Sequence, residues 1–175
     1  MTDYEISDFV DVSAKAKELN CNIPSGITVL PQNFHSGQSY SELYYESIAL
    51  DLRAAFRENG IQGTSLEKSE EVAVKILIRE CALPEWSPPI IYVVGKFIQE
   101  NPALVDFMLN ILSNFFYDKY KSVFMREPTS TDTTEFYVVK LSIGSLTYKK
   151  AKYRGSWEGK KLKGLKEFGD IVRKL

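Results

Sequence analysis

The chain has 175 residues, of which 44% are hydrophobic and 26% are charged. This length and composition fit one globular domain of the soluble class and exclude a globally disordered chain. The formal net charge of −1 argues against a dedicated nucleic-acid-binding domain, whose pI exceeds roughly 9. We therefore predict a single domain over residues 1–175.

Cysteine content and the N-terminal sequence predict a reducing, cytoplasmic setting. Cys21 and Cys81 are too few for a disulfide framework and form no C-x-x-C pair. The acidic N-terminal residues lack the apolar segment of a secretory signal. With a single histidine, His35, the chain also lacks a ligand set for a histidine–cysteine metal site, and no cofactor is predicted.

The small net charge conceals a strong asymmetry along the chain. Residues 1–118 contain 8 Lys/Arg and 17 Asp/Glu, whereas residues 119–175 contain 14 Lys/Arg and 6 Asp/Glu. Such a division predicts an acidic surface and a basic surface. The alternative is that the opposite charges serve only to hold the two parts of the chain together.

The first part of the chain predicts mixed structure. Residues 1–26 form an N-terminal arm in this interpretation, with a short helix over 13–20 capped by Ser13. Ile27–Leu30 is a strand candidate, and a polar loop with His35 follows it. Ser39-x-x-Glu42 has the spacing of a capping box, which predicts a helix over about 40–59.

The next segment alternates in the manner of a strand. Val72, Val74, Ile76 and Ile78 fall on one side of residues 72–79, and four β-branched residues at period two favour a strand with a buried face. A helix is the competing interpretation of this segment.

The most apolar part of the chain runs from Pro88 to Tyr120. Apolar residues recur there at helical spacing, and Asn101-Pro102 has the character of a helix start. We predict two helices, over about 88–100 and 102–120. Charged residues divide the stretch into pieces shorter than the roughly 20 apolar residues of a membrane span, so no transmembrane segment is predicted.

The C-terminal part predicts a hairpin followed by a helix. Strands over 136–143 and 146–153 flank Gly144-Ser145, which suits a two-residue turn. That turn would place Lys140 opposite Lys149, a like-charged pair with an energetic cost. Apolar residues at helical spacing predict a terminal helix over 157–175.

These elements together predict an α+β fold. A small, mainly antiparallel sheet would contain the C-terminal hairpin and the 72–79 strand. Helices would cover it, and the central apolar pair over 88–120 would supply most of the core.

The candidate binding residues lie in the basic C-terminal region. They are cations and one aromatic residue on the hairpin and just after it: Lys149, Lys150, Lys152, Arg154, Trp157, Lys160 and Lys161. Nucleic-acid binding uses such cations for phosphates and such rings for bases. A solvated lysine-rich face that prevents aggregation at the sheet edge is the competing interpretation, and it is favoured by the low net charge.

Three further patterns are weaker candidates for binding or catalysis. Gly155–Lys161 has one residue too few between its glycines for a P-loop, although a helix start beside Lys160 and Lys161 could bind an anion. Glu158-Gly-Lys160 matches a short fragment of metal-dependent nucleases, with Asp132 or Glu135 upstream. His35 is a candidate general base in a polar loop.

The function predicted from these patterns is non-catalytic. The leading hypothesis is a small interaction or adaptor protein that binds a protein partner or self-associates through the apolar region 88–124. The second hypothesis is nucleic-acid or anion binding through the basic C-terminal region. The third is a hydrolase or nuclease of unfamiliar design around His35 or Glu158.

Overall fold

The structure is a computed structural model that describes residues 3–61, 63, 66–67, 75–77, 87–142 and 146–175. For residues 75–77 it describes the course of the backbone alone. In chain order the elements are β1 (Asp3–Asp8), α1 (Val12–Glu18), β2 (Ile27–Leu30), β3 (Tyr44–Glu46), α2 (Ser47–Glu58), β4 (Lys75–Leu77), β5 (Ile90–Val93), α3 (Gly95–Glu100), α4 (Ala103–Phe124), β6 (Thr133–Leu141), β7 (Tyr148–Glu158), β8 (Lys161–Leu162) and α5 (Leu165–Lys174).

The main sheet is mixed and mainly antiparallel, as predicted. Within the described ranges its strands follow the order β1-β7-β6-β5-β2, and β8 pairs with the end of β7. Every neighbouring pair is antiparallel except β5 and β6, which α3 and α4 connect. The α+β class with helices packed on such a sheet is therefore confirmed.

Helices cover the two faces of this sheet unequally. Successive residues of a strand point to opposite faces, so Tyr148 and Tyr153 of β7 lie on different sides. Tyr153 packs against Phe168 of α5, with 5.4 Å between ring centroids, whereas the Tyr148 hydroxyl lies 3.1 Å from Ser13 Oγ of α1. Helix α5 and its neighbours α4 and α2 thus cover one face, and α1 covers part of the other.

The prediction of a helix over 88–100 is wrong for its first half. Ile90–Val93 is a strand, buried on both faces and parallel to β6, and only Gly95–Glu100 is helical. A parallel strand covered on both sides is a continuous apolar run, which periodicity alone does not separate from a buried helix. The central apolar helix pair is therefore a strand, a short helix and the long helix α4.

The predicted helix over 40–59 begins seven residues later, at Ser47. Ser39 makes no side-chain cap, and Glu42 Oε2 accepts a hydrogen bond from the Gln38 N–H rather than from Ser39. A single 3-10 turn at Tyr40–Glu42 then gives way to β3. The first part of the helical prediction is therefore wrong, because Ser39 and Glu42 have the spacing of a capping box but do not form its hydrogen bonds.

The predicted strand over 72–79 lies mainly outside the described residues. Its described part, Lys75–Leu77, is a strand, but it pairs in parallel with Tyr44–Glu46 in a separate two-stranded sheet. The prediction that it joins the hairpin in one sheet is therefore wrong. Cys81 also lies outside the described residues.

The predicted C-terminal hairpin and its register are confirmed. Lys140 stands opposite Lys149 and Leu141 opposite Tyr148, while the predicted turn residues Gly144 and Ser145 lie outside the described residues. β7 continues past the predicted end of the hairpin to Glu158, so the terminal helix begins at Leu165 rather than near residue 157.

The N-terminal residues pair with the hairpin. β1 runs antiparallel to β7 at the edge of the main sheet, and Val12 and Ala16 of α1 are buried in the core. Asp11 caps α1 by accepting a hydrogen bond from the Ala14 N–H, in place of the predicted cap Ser13. The N-terminal arm over residues 1–26 and the single domain over residues 1–175 both stay predictions.

Lys140 shows how the like-charged pair is tolerated. Its side chain is buried, and its ammonium donates to the carbonyls of Val172 and Arg173, each at 3.2 Å, at the C-terminal end of α5. A cation is favourable there because it satisfies unpaired carbonyls at the negative end of a helix. Lys149 has its own partner, Asp8 of β1.

Lys140→Met should change how stability depends on pH. Burial lowers the pKa of Lys140 below its usual value near 10.4, so at alkaline pH the unfolded chain binds more protons than the folded one. The unfolding free energy of the wild type should therefore rise relative to that of Lys140→Met as the pH increases toward about 10.4.

Urea denaturation of both proteins over a pH series measures this difference. Titration of other groups is common to the two proteins and cancels in the comparison. A difference that stays flat up to pH of about 10.4 would contradict the buried, titrating ammonium.

Candidate functional site

The cations of β7 are largely engaged within the sheet. Glu135 of β6 lies 4.0 Å from Lys152 Nζ and 3.3 Å from Arg154 Nε, and Lys149 pairs with Asp8. Lys150 Nζ lies 4.7 Å from the centre of the Tyr137 ring. Three of the four β7 cations that were predicted to bind nucleic acid are therefore paired with carboxylates of neighbouring strands.

The register of β1 on β7 extends this neutralisation. Cross-strand partners on the two strands carry opposite charges at three positions: Asp3 with Arg154, Glu5 with Lys152, and Asp8 with Lys149. Opposite charges facing each other across an antiparallel pair stabilise it modestly. The alternative that the charge asymmetry joins the two parts of the chain is thus supported at this sheet edge.

Trp157 is not a surface ring. Its side chain is 1% exposed and packs against Tyr117, with 5.9 Å between ring centroids. Its indole N–H has no acceptor among the described residues. The ring is part of the core and is not displayed for stacking on a base.

Lys160 and Lys161 lie apart from the paired cations of β7. A tight turn at Gly159, with a φ of 61°, reverses the chain and leads into β8, which begins at Lys161. Gly164 then adopts a φ of 73°, in the left-handed region that favours glycine, and α5 starts at Leu165. The helix start that was predicted beside the two lysines instead lies at Leu165, four residues after Lys161.

This connection is held in place by three side chains from other elements. Ser113 Oγ of α4 accepts from the Leu162 N–H at 3.2 Å. The Tyr153 hydroxyl donates to the Lys163 carbonyl at 2.6 Å, and the Tyr4 hydroxyl donates to the Gly164 carbonyl at 2.7 Å. Burial raises the pKa of both tyrosines, so both hydroxyls keep their protons and remain donors.

A groove of about 660 Å³ opens between this connection, α4 and the start of α5. We call it the lysine groove. Polar and charged side chains account for most of its lining: Asn110, Ser113, Asn114, Glu158, Lys161, Lys163, Lys166 and Glu167. No side chain caps α5, so the positive end of that helix opens toward the groove.

Lys161 and Lys166, which line this groove, and the neighbouring Lys160 differ from most cations of β7 in their partners. Lys160, Lys161 and Lys166 form no ion pair with any carboxylate of the described residues. Two carboxylates, Glu158 and Glu167, also line the groove. The groove therefore combines three lysines with two carboxylates, a pattern suited to a partner surface of mixed charge.

The residues considered for hydrolysis lie in different settings. His35 is in an exposed loop, with its ring 6.2 Å from that of Phe9, and burial and the charges of Lys150 and Lys15 lower its pKa. Glu158 instead lines the lysine groove. The structure therefore does not place these two side chains in a common site.

The upstream carboxylates of the nuclease hypothesis are held by cations. Asp132 Oδ2 accepts from Arg126 at 2.9 Å and from the Thr129 N–H at 2.8 Å, and these bonds hold the pKa of its carboxyl well below the usual range. Glu135 is held by Lys152 and Arg154. Across the described ranges, no three His, Cys, Asp or Glu side chains are grouped so as to hold a metal ion.

The apolar surface of α4 is limited. Phe107 near its start and Val123 and Phe124 at its end are exposed, and Met125 follows them with a φ of 57°. At 1.5 Å per residue, Phe107 and Val123 are about 24 Å apart along the helix, so the exposed apolar residues of α4 form no single patch.

Among the described helices, none is both long enough and apolar enough to span a bilayer.

Sequence reasoning missed part of the lysine groove. Lys166 is not among the predicted binding residues, and Asn110 and Asn114 fall within the predicted helix over 102–120. The glycine at position 164 was the available signal for the later start of α5.

The chain has no significant match among family models, curated proteins or solved structures.

The burial of Trp157 can be tested by fluorescence. In a Trp86→Phe variant, Trp157 is the only tryptophan of the chain. Because its ring is buried, we expect blue-shifted emission, resistance to quenching by acrylamide and no change on addition of a single-stranded oligonucleotide. Ready quenching, or a spectral shift with the oligonucleotide, would show that the ring is accessible.

Proposed function

We propose that the protein is a non-catalytic interaction protein that binds an acidic surface of a protein partner in the lysine groove. The observation that carries this proposal is the contrast between two sets of cations. Lys160, Lys161 and Lys166 lack carboxylate partners within the described residues, whereas Lys149, Lys152 and Arg154 of β7 are paired. Unpaired cations beside a concave surface attract and orient an anionic partner.

The groove is also well defined before any partner arrives. Ser113, Tyr153 and Tyr4 fix its wall through hydrogen bonds to consecutive residues of the β8–α5 connection. A site whose backbone is held in this way loses little conformational entropy on binding. This supports binding as the role of the groove.

A protein surface suits the groove better than a nucleic acid does. No aromatic residue stands among those that line it, so bases would have no ring on which to stack. Glu158 and Glu167 would also repel a continuous phosphate backbone. A protein surface can present carboxylates to the lysines and basic groups to these two glutamates, which is the complementarity typical of protein interfaces.

A non-catalytic role is supported by the engagement of the candidate catalytic groups. Asp132 and Glu135 are bound by arginine or lysine, and His35 stands at another surface from Glu158. Self-association through the apolar region 88–124 stays a prediction, as do the partner and the cytoplasmic location.

Removal of the unpaired lysines should weaken binding to an acidic peptide. The variant Lys160→Gln/Lys161→Gln/Lys166→Gln should bind fluorescently labelled poly-glutamate roughly 10- to 100-fold more weakly than the wild type, because each exposed charge contributes up to about 1 kcal/mol. Fluorescence anisotropy measures the dissociation constants, and the wild-type affinity should fall as salt increases.

A matched variant controls for net charge. Lys149→Gln/Lys152→Gln/Arg154→Gln removes the same number of positive charges from β7, where the cations are paired, and should weaken binding by less than about threefold. Equal losses in the two variants would contradict a specific groove. Tighter binding of a single-stranded oligonucleotide than of poly-glutamate would assign the basic region to nucleic acid instead.

A further inference from the structure

A second groove runs along the other side of α4, between α4 and α2. It has a volume of about 580 Å³, and carboxylates of both helices line it: Asp51, Glu58 and Asp118. Asp51 pairs with Lys119, whereas Glu58 and Asp118 form no ion pair with the described residues. This acidic groove is thus the electrostatic counterpart of the lysine groove.

The two grooves are separated by the outer side of α4. Asn114 lines both of them. Other exposed residues of α4 continue this ridge at helical spacing: Ala103, Phe107, Asn110 and Lys121. At 100° per residue these side chains lie within about 60° of one another, so they form one narrow stripe. One continuous surface therefore has the unpaired cations Lys161 and Lys166, beside Glu158 and Glu167, on one side of a ridge. The unpaired anions Glu58 and Asp118 lie on the other side.

We propose that the partner bound in the lysine groove is the acidic groove of a second copy of this chain. The two copies would face each other across a two-fold axis that runs parallel to α4. Each lysine groove then meets the acidic groove of the other copy, so the same contact is made twice. This inference rests on the proposed function and names the partner for the same groove.

The direction of the axis follows from the arrangement of charges. In a face-to-face dimer the two-fold axis lies in the interface plane. An axis along α4 exchanges the two sides of the ridge between the copies, which sets lysines against carboxylates. An axis across α4 would instead set each groove against its own kind, and like charges would repel.

The ridge from Ala103 to Asn114 suits such a contact, whereas Lys121 near its end would meet a like charge. With the axis along α4, the two helices run parallel and each ridge residue meets its own equivalent, as at an isologous interface. Asn110 and Asn114 can hydrogen-bond to their equivalents, and a polar Asn on the seam of parallel helices selects register and oligomeric state. Phe107, which is 44% exposed, would contribute apolar contact.

The size of the surface is adequate for a reversible dimer. The 22 residues of α4 extend for about 33 Å, and the flanking elements lie about 10 Å to either side. A footprint of about 33 by 20 Å on each copy buries roughly 1,300 Å² in total, at the lower end of specific interfaces. We expect a dimer that dissociates on dilution and at high salt.

Charge reversal in each groove tests this dimer. The variant Lys161→Glu/Lys166→Glu replaces the lysines of one groove, so that both grooves of a copy carry acidic side chains. The variant Glu58→Lys/Asp118→Lys replaces the carboxylates of the other groove, so that both carry basic side chains. Each variant alone should dimerise at least about tenfold more weakly than the wild type. An equimolar mixture of the two should form a heterodimer within about threefold of wild-type affinity, because both contacts are again between opposite charges.

Sedimentation velocity over a concentration series measures these constants, and circular dichroism verifies that each variant is folded. A wild type that is monomeric at all concentrations would overturn the inference. So would a variant that dimerises as tightly as the wild type, or an equimolar mixture of the two variants that forms no heterodimer. The poly-glutamate titration separates this failure from that of the proposed function. Lysine-dependent peptide binding by a strictly monomeric chain would overturn only the second copy as partner, whereas its absence would contradict the groove itself.

The axis can be tested by crosslinking. In a Cys81→Ser background, Asn114→Cys should form a disulfide-linked dimer under mild oxidation, because residue 114 meets its own equivalent at the two-fold axis. Asp3→Cys, on the edge strand β1, is the matched exposed control and should not crosslink. Equal crosslinking at both positions would contradict the axis along α4.

Discussion

A cluster of aromatic rings sets the position of every element around the candidate site. Phe136 of β6 lies at its centre, with ring centroids 4.8 Å from Tyr153, 5.5 Å from Phe168 and 6.0 Å from Phe116. These rings belong to β7, α5 and α4, so one buried cluster joins the sheet to both helices that form the lysine groove. Rings packed in such geometries contribute more than their buried area alone.

The position of α5 on this cluster has consequences for charge. Its C-terminal end receives the buried ammonium of Lys140, and its uncapped N-terminal end opens on the lysine groove. The lysines near the two ends of this helix therefore have different roles. Lys140 donates hydrogen bonds to carbonyls inside the fold, while Lys161 and Lys166 line the groove. The same residue type is structural in one place and available for binding in the other, and only its partners distinguish the two.

The charge asymmetry of the chain is resolved in the same way. Acidic residues of the first part meet basic residues of the last part within the fold, as in Asp8 with Lys149 and Asp106 with Arg173. Among the charges of the described residues that form no ion pair, Lys161 and Lys166 lie on one side of α4, and Glu58 and Asp118 lie on the other. The proposed self-complementary surface uses these charges, which come from β8, α5, α2 and α4.

The sequence by itself determined the α+β class, the β2 strand and the hairpin with Lys140 opposite Lys149, because period-two alternation and turn residues act over short distances. It did not determine that Ile90–Val93 is a strand, since a buried strand and a buried helix share an apolar run. Nor did it show which lysines are paired, because ion pairs such as Lys152 with Glu135 depend on strand neighbours that are set by the whole sheet. Only the tertiary structure decided that Trp157 is core and that Lys161 and Lys166 share a groove, because burial and convergence arise from packing between elements distant in the chain.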